Sequence, residues 1–140
     1  MDKPVMKEWS DGIKEWRLFG ILHRKDEPAV LWPNGDKEWW LFGKLHRENG
    51  PAVERSNGTK YWYLDGKRHR EDGPAIEYSN GVKEWYLDNK RHREDGPAME
   101  YPNGAKFWYL FGERLTEQEV MKTYFTKDIK DAFKDIIDNL

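Results

Sequence analysis

Alternation of apolar and polar residues is the first pattern along the chain. In Lys83-Glu84-Trp85-Tyr86-Leu87, an extended strand places Trp85 and Leu87 on one face and Glu84 and Tyr86 on the other. Ala75-Ile76-Glu77-Tyr78 alternates the same way, with Ile76 and Tyr78 together. Both segments are rich in aromatic or β-branched residues, as strands are. Between them lies Ser79-Asn80-Gly81-Val82. Asn-Gly between strands is the strongest short hairpin signal, because both residues tolerate positive φ. The link from Asp65 to Pro74 is longer and predicts a wider loop.

This two-strand pattern recurs with a step of 23 residues. His23, His46, His69 and His92 keep it, as do Trp16, Trp39, Trp62, Trp85 and Trp108. Pro28, Pro51, Pro74 and Pro97 are each followed by Ala, and Asn-Gly recurs at 34, 57, 80 and 103. Four full units run over 14–36, 37–59, 60–82 and 83–105, with half units at either end. Chained hairpins of fixed length predict a mainly β fold: an extended antiparallel sheet over residues 1–115, of about ten short strands. The position held by Gly20, Gly43, Gly66 and Gly112 is Asn89 in the fourth unit. Asn is the next residue most tolerant of left-handed backbone, so positive φ is expected there. Glu27 replaces the glycine of Gly50, Gly73 and Gly96, which predicts a looser first turn.

The period ends near residue 115. Thr116-Glu117-Gln118-Glu119 has the form of a capping box, followed at helical spacing by Val120, Met121, Tyr124 and Phe125. Ile129, Phe133, Ile136, Ile137 and Leu140 then form an apolar stripe, with Thr126 as the candidate cap of a second helix. Residues 116–140 are therefore expected to form a helical cap over the last hairpin. The alternative is a helix that binds a partner or pairs with a second copy.

Composition narrows the chemistry. Charged residues make up 36% of the chain and would favour disorder, but aromatics make up 15%, including eight Trp. A folded protein with a thin core of wide aromatic side chains reconciles the two. The absence of Cys rules out disulfides and cysteine-based zinc sites. The net charge of −2 argues against binding nucleic acid through bulk charge. The first eight residues lack the apolar core of a secretory signal, and an intracellular, cytoplasmic protein is expected.

The unit Glu-Trp-Tyr-Leu-Asp-(Gly/Asn)-Lys-Arg-His-Arg resembles the MORN repeat, which has the same 23-residue period, a Trp-bearing strand and glycines at its turns. Asp-Gly-Pro-Ala stands where spaced glycines are usual, as in variant repeats of tailed-phage and large-virus proteins. The resemblance implies a role in scaffolding, dimerisation or phospholipid contact rather than catalysis. It also implies an accessory protein that blocks a host protein or protein complex, with bacterial defence as the context.

No nucleophile, phosphate-loop or metalloprotease motif is present, and every His is a repeat position, so no catalysis and no cofactor are expected. A metal ladder of His46, His69 and His92 fails on distance. Equivalent residues of successive hairpins lie about 9–10 Å apart, too far to share one ion. Two binding surfaces remain. Trp40, Tyr63, Tyr86 and Tyr109 form an aromatic stripe on the second strand face. Exposed, they would anchor a protein partner, with Arg47, Arg70 and Arg93 as charged contacts. Packed, they would be cross-strand pairs. Lys67, Arg68, His69, Lys90, Arg91 and His92 form a basic row that could take nucleic acid, a nucleotide or anionic lipid. Each basic run is followed by acids, Glu71-Asp72 and Glu94-Asp95, so the row could instead be an exposed ion-pair ladder.

Overall fold

A computed structural model describes residues 2–140, apart from the side chains of Phe125 and Thr126. The protein is mainly β, with one C-terminal helix. Twelve short strands form a single antiparallel sheet that follows chain order from Val5–Glu8 to Glu113–Leu115. Three further hairpins stand beside it, one in each of the second, third and fourth units.

In the second, third and fourth units the expected five-residue strand divides at its tryptophan, giving two hairpins rather than one, whereas Lys14–Leu18 and Lys106–Leu110 run through their tryptophans unbroken. In the third unit Lys60–Tyr61 belongs to the long sheet, whereas Tyr63–Leu64 pairs with Lys67–Arg68 in a separate hairpin. Trp62 is the switch point. Its N–H donates to the Ala75 carbonyl at 2.8 Å, while its own carbonyl accepts from His69 N–H at 3.1 Å. The long link is therefore a second hairpin followed by a return loop. Backbone bonds join these side hairpins between units, such as Gly66 N–H to the Leu45 carbonyl at 2.8 Å and Arg47 N–H to the Tyr63 carbonyl at 3.1 Å.

The two turn types differ in who carries positive φ. At the Asn-Gly turns only the glycine is left-handed, with φ 97° at Gly35. The asparagine instead uses its side chain: Asn34 Oδ1 accepts from Asp36 N–H at 2.9 Å. A two-residue turn with both residues left-handed occurs in the side hairpins. There Phe42 and Gly43 have φ 47° and 78°, and Asp88 and Asn89 have 47° and 68°. Asn89 thus takes the conformation expected of it.

The core is thin. Ala29, Ala52, Ala75 and Ala98 have no exposed surface and sit beside the buried Val30, Val53 and Ile76. In the middle of the array Tyr61, Trp62 and Tyr78 pack on Ala75, Ile76 and Tyr86.

The helix Glu117–Asp138 begins as expected, with Thr116 Oγ1 accepting from Glu119 N–H at 3.1 Å. It then runs unbroken, so there is no second helix and no cap at Thr126, whose side chain lies outside the described residues. Nothing between 117 and 138 is Gly or Pro, so no residue forces a break. Only its start packs on the array: Val120 is buried and the helix meets the strand Lys106–Leu110. Ile129, Phe133, Ile136 and Ile137 are exposed. Among the described residues no helix is long and apolar enough to cross a membrane.

Candidate protein-binding surface

The recurring geometry of the return loop is a stacked arginine. Arg70 lies over Trp62 at 3.9 Å from the ring centroid, and Arg47 and Arg93 repeat this over Trp39 and Trp85 at 3.8 and 3.9 Å. Arg70 Nη1 donates to the Pro74 carbonyl at 3.0 Å and to Glu77 Oε1 at 3.1 Å, and Nε donates to Asp72 at 3.0 Å. Each arginine thus closes its own loop against its own tryptophan. This explains the glycine at 50, 73 and 96. A Cβ on Gly73 would stand 2.9 Å from Arg70 Cζ, so the position needs space, not a special φ. In the first unit Glu27 fits instead by pairing with Arg24, which still stacks on Trp16 and still reaches the Pro28 carbonyl at 3.2 Å. The loop there is still closed by its arginine, with Leu31 standing where Glu77 pairs with Arg70 in the third unit.

The basic row does not form as a row. Successive residues of a strand point to opposite sides, and the run divides accordingly. Lys67 and Lys90 are exposed at the hairpin tips. Arg68 turns inward over Tyr86, 4.3 Å from the ring centroid, and its Nε donates to Asn89 Oδ1 at 3.3 Å. Arg91 lies between Tyr86 and Tyr109 and meets Glu84 at 3.5 Å.

The histidines hold neighbouring units together. Nδ1 of His23, His46, His69 and His92 accepts the backbone N–H of Phe42, Asp65, Asp88 and Phe111, at 3.0, 2.9, 3.1 and 3.0 Å. The proton therefore resides on Nε2. In the last three units Nε2 faces a glutamate of its own return loop: Glu48 at 3.6 Å, Glu71 at 3.5 Å and Glu94 at 3.4 Å. Among the described residues no three His, Asp or Glu side chains converge as a metal site.

The aromatic stripe is not a wet face. Tyr86 is only 4% exposed and bonds Glu84 Oε2 at 3.0 Å, while Trp40, Tyr63 and Tyr109 are half-buried. Tyr86 packs with Ala75 and Ile76, and Arg68 and Arg91 lie against its ring. Burial pushes the phenols of Tyr63 and Tyr86 above their ordinary pKa, and Glu84 adds to the rise at Tyr86.

The exposed aromatics lie elsewhere. Phe19, Phe42 and Phe111 are 79%, 70% and 68% exposed, each as the first central residue of a tight hairpin turn. The third and fourth units carry Asp65 and Asp88 there, with the same φ of 49° and 47°. The Asp carboxylates sit beside the preceding histidine, at 3.4 Å from His46 and 3.2 Å from His69. Phe42 and Phe111 lie against His23 and His92 with ring centroids 4.2 and 4.3 Å apart. Left-handed backbone costs a residue without a short polar side chain about 1–2 kcal/mol. The fold is satisfied by Asp, so phenylalanine here adds strain and an unburied ring. Only the residue before the glycine in each aligned unit gives a sequence signal for this site.

No protein-family model matches the chain, and no curated protein matches it.

Proposed function

We propose that this chain is a non-enzymatic, MORN-like protein-binding module that engages a protein partner through the phenylalanines at its hairpin tips and covers that partner's working surface. The observation that carries this reading is the use of Phe19, Phe42 and Phe111 at left-handed, exposed turn positions where Asp65 and Asp88 serve the fold at lower cost. A buried phenylalanine removes about 150–250 Å² from water, and association regains what the free protein forgoes. Tyr86 is too buried to anchor a partner, and Arg47, Arg70 and Arg93 act by holding the loops in shape. The division of the basic run favours a protein over nucleic acid or anionic lipid. The setting belongs to the same proposal: a phage-encoded protein acting in the cytoplasm of a bacterial host on a defence protein.

The test is a pull-down from bacterial lysate, with and without nuclease, using the wild-type chain and a variant carrying Phe19→Asp, Phe42→Asp and Phe111→Asp. A stoichiometric partner captured by the wild type in both arms and lost with the variant supports the proposal. Equal capture by both chains refutes the role of the tips.

A second reading is favoured by the exposed helical stripe of Ile129, Phe133, Ile136 and Ile137, which fits self-association. Deleting residues 126–140 tests it: an unchanged mass in solution disposes of the dimer.

A further inference from the structure

The repeat allows equivalent positions to be compared from unit to unit. Between successive return loops runs an open groove. One lies between 24–26 and 46–49 with Trp39 and Leu41 as its floor, and the next between 47–50 and 69–72 over Trp62 and Leu64. The third lies between 70–73 and 92–95 over Trp85 and Leu87. The next position, between 93–96 and the half unit that ends the array, has Trp108 and Leu110 in the same roles by the 23-residue step.

That fourth position is filled by the chain's own helix. Leu110 is buried there, whereas Leu41, Leu64 and Leu87 are only half-buried. The side chain of Glu94 is 54% exposed, against 78% for Glu48 and 84% for Glu71. His92 falls to 2%, against 13% and 14% for His46 and His69. Phe111 covers His92, with ring centroids 4.3 Å apart, and Glu94 is met by Tyr124. Its hydroxyl donates to the Glu94 carboxylate, and burial together with that carboxylate pushes its pKa up to about 12. Lys122 and Lys127 flank Tyr124 in the sequence.

We propose that the two open grooves floored by Leu64 and Leu87 receive a lysine-flanked, tyrosine-bearing amphipathic helix of a protein partner, in the manner in which Tyr124 occupies the last groove. This rests on the reading of the chain as a protein binder and names the partner's chemistry. The acceptor equivalent to Glu94 is Glu48 in the first of these grooves and Glu71 in the second, each facing the Nε2 of its histidine at 3.6 and 3.5 Å. Their walls are acidic, because Arg47 and Arg70 are already neutralised by Glu54 and Glu77 while Glu48 and Glu71 point outward. The groove over Leu41 carries Lys25 at the acceptor position, and its carboxylates, Asp26 and Glu48, stand elsewhere in the lining.

The probe is a blocked peptide of residues 116–130 of this chain, titrated into the isotope-labelled full-length protein and followed by amide chemical shifts. Saturable shifts at Glu48, Leu64, Glu71 and Leu87, with none at Lys25 and Leu41, are expected. Glu71→Gln in the protein, or Phe in place of tyrosine in the peptide, should weaken binding about tenfold, the loss of one charge-assisted hydrogen bond. Shifts spread equally over all three grooves, no shifts up to millimolar peptide, or indifference to the tyrosine hydroxyl would overturn the assignment. A partner still captured through the phenylalanine tips in any of these cases would leave the broader binding role standing, so the two failures are separable.

Discussion

Arg70 lies over Trp62 with its guanidinium 3.9 Å from the ring centroid, and from there it bonds to Asp72, the Pro74 carbonyl and Glu77 along the loop that leads to the next strand. The pair substitutes for the aliphatic core the chain lacks. A cation over a Trp face contributes about 1 kcal/mol, and charge-assisted bonds at a half-buried site add a similar amount. Arg70→Ala is therefore expected to lower unfolding stability by about 2 kcal/mol in urea titration. Gly73→Ala should act through the same pair, because its Cβ would press on Arg70 Cζ from 2.9 Å. Gly58→Ala meets no neighbour but is strained by a φ of 94°. Combining Gly73→Ala with Arg70→Ala should cost less than the sum of the two, a coupling absent when Gly58→Ala replaces Gly73→Ala.

The alkaline limb of stability follows from the buried phenols. Tyr63, Tyr78, Tyr86 and Tyr124 all have pKa values raised above 10.0, chiefly by burial. The folded chain therefore holds these protons more tightly than the unfolded chain. That stabilisation is complete below pH 10 and is lost as pH rises through the folded-state values. Phenolate absorbance should show a late-titrating fraction in the native protein. Tyr124→Phe should remove the component near pH 12.

Helix truncation separates packing from exposure. Val120 is buried and Tyr124 reaches Glu94, whereas the stripe from Ile129 to Ile137 touches water. Removing residues 126–140 should leave the thermal midpoint of the array nearly unchanged. Val120→Ala should lower it, by an amount equivalent to about 1–2 kcal/mol of lost burial.

Much of the fold is legible in the sequence. The 23-residue step of Trp, His and Pro-Ala places every unit, and Asn89 in the glycine position reports its positive φ. The split at Trp62 is not legible, because side-chain alternation continues through the bend and only the hydrogen-bond partners change. Asp65-Gly66 carries the signal of a tight two-residue turn, yet the long run of charges around it reads as loop. The fate of Arg70 depends on Trp62, Pro74 and Glu77 converging in space, which no local spacing reveals. The same holds for Tyr86: alternation gives its face, but only the convergence of Ala75, Ile76, Arg68 and Arg91 decides that the ring is covered.

The tip phenylalanines give the most direct test, because fold and function should respond to them in opposite directions. Phe42→Asp and Phe111→Asp place a short polar side chain beside His23 and His92, as Asp65 and Asp88 do beside His46 and His69. The measurement is the affinity of the partner captured by the wild-type chain for the Phe19→Asp, Phe42→Asp, Phe111→Asp variant, with the thermal midpoint recorded on the same samples. The account requires a loss of at least about a hundredfold, the scale of a hot-spot cluster, with a midpoint unchanged or raised. Affinity within a few-fold of wild type, or a lowered midpoint, would contradict it by showing that these rings serve the fold and not a partner.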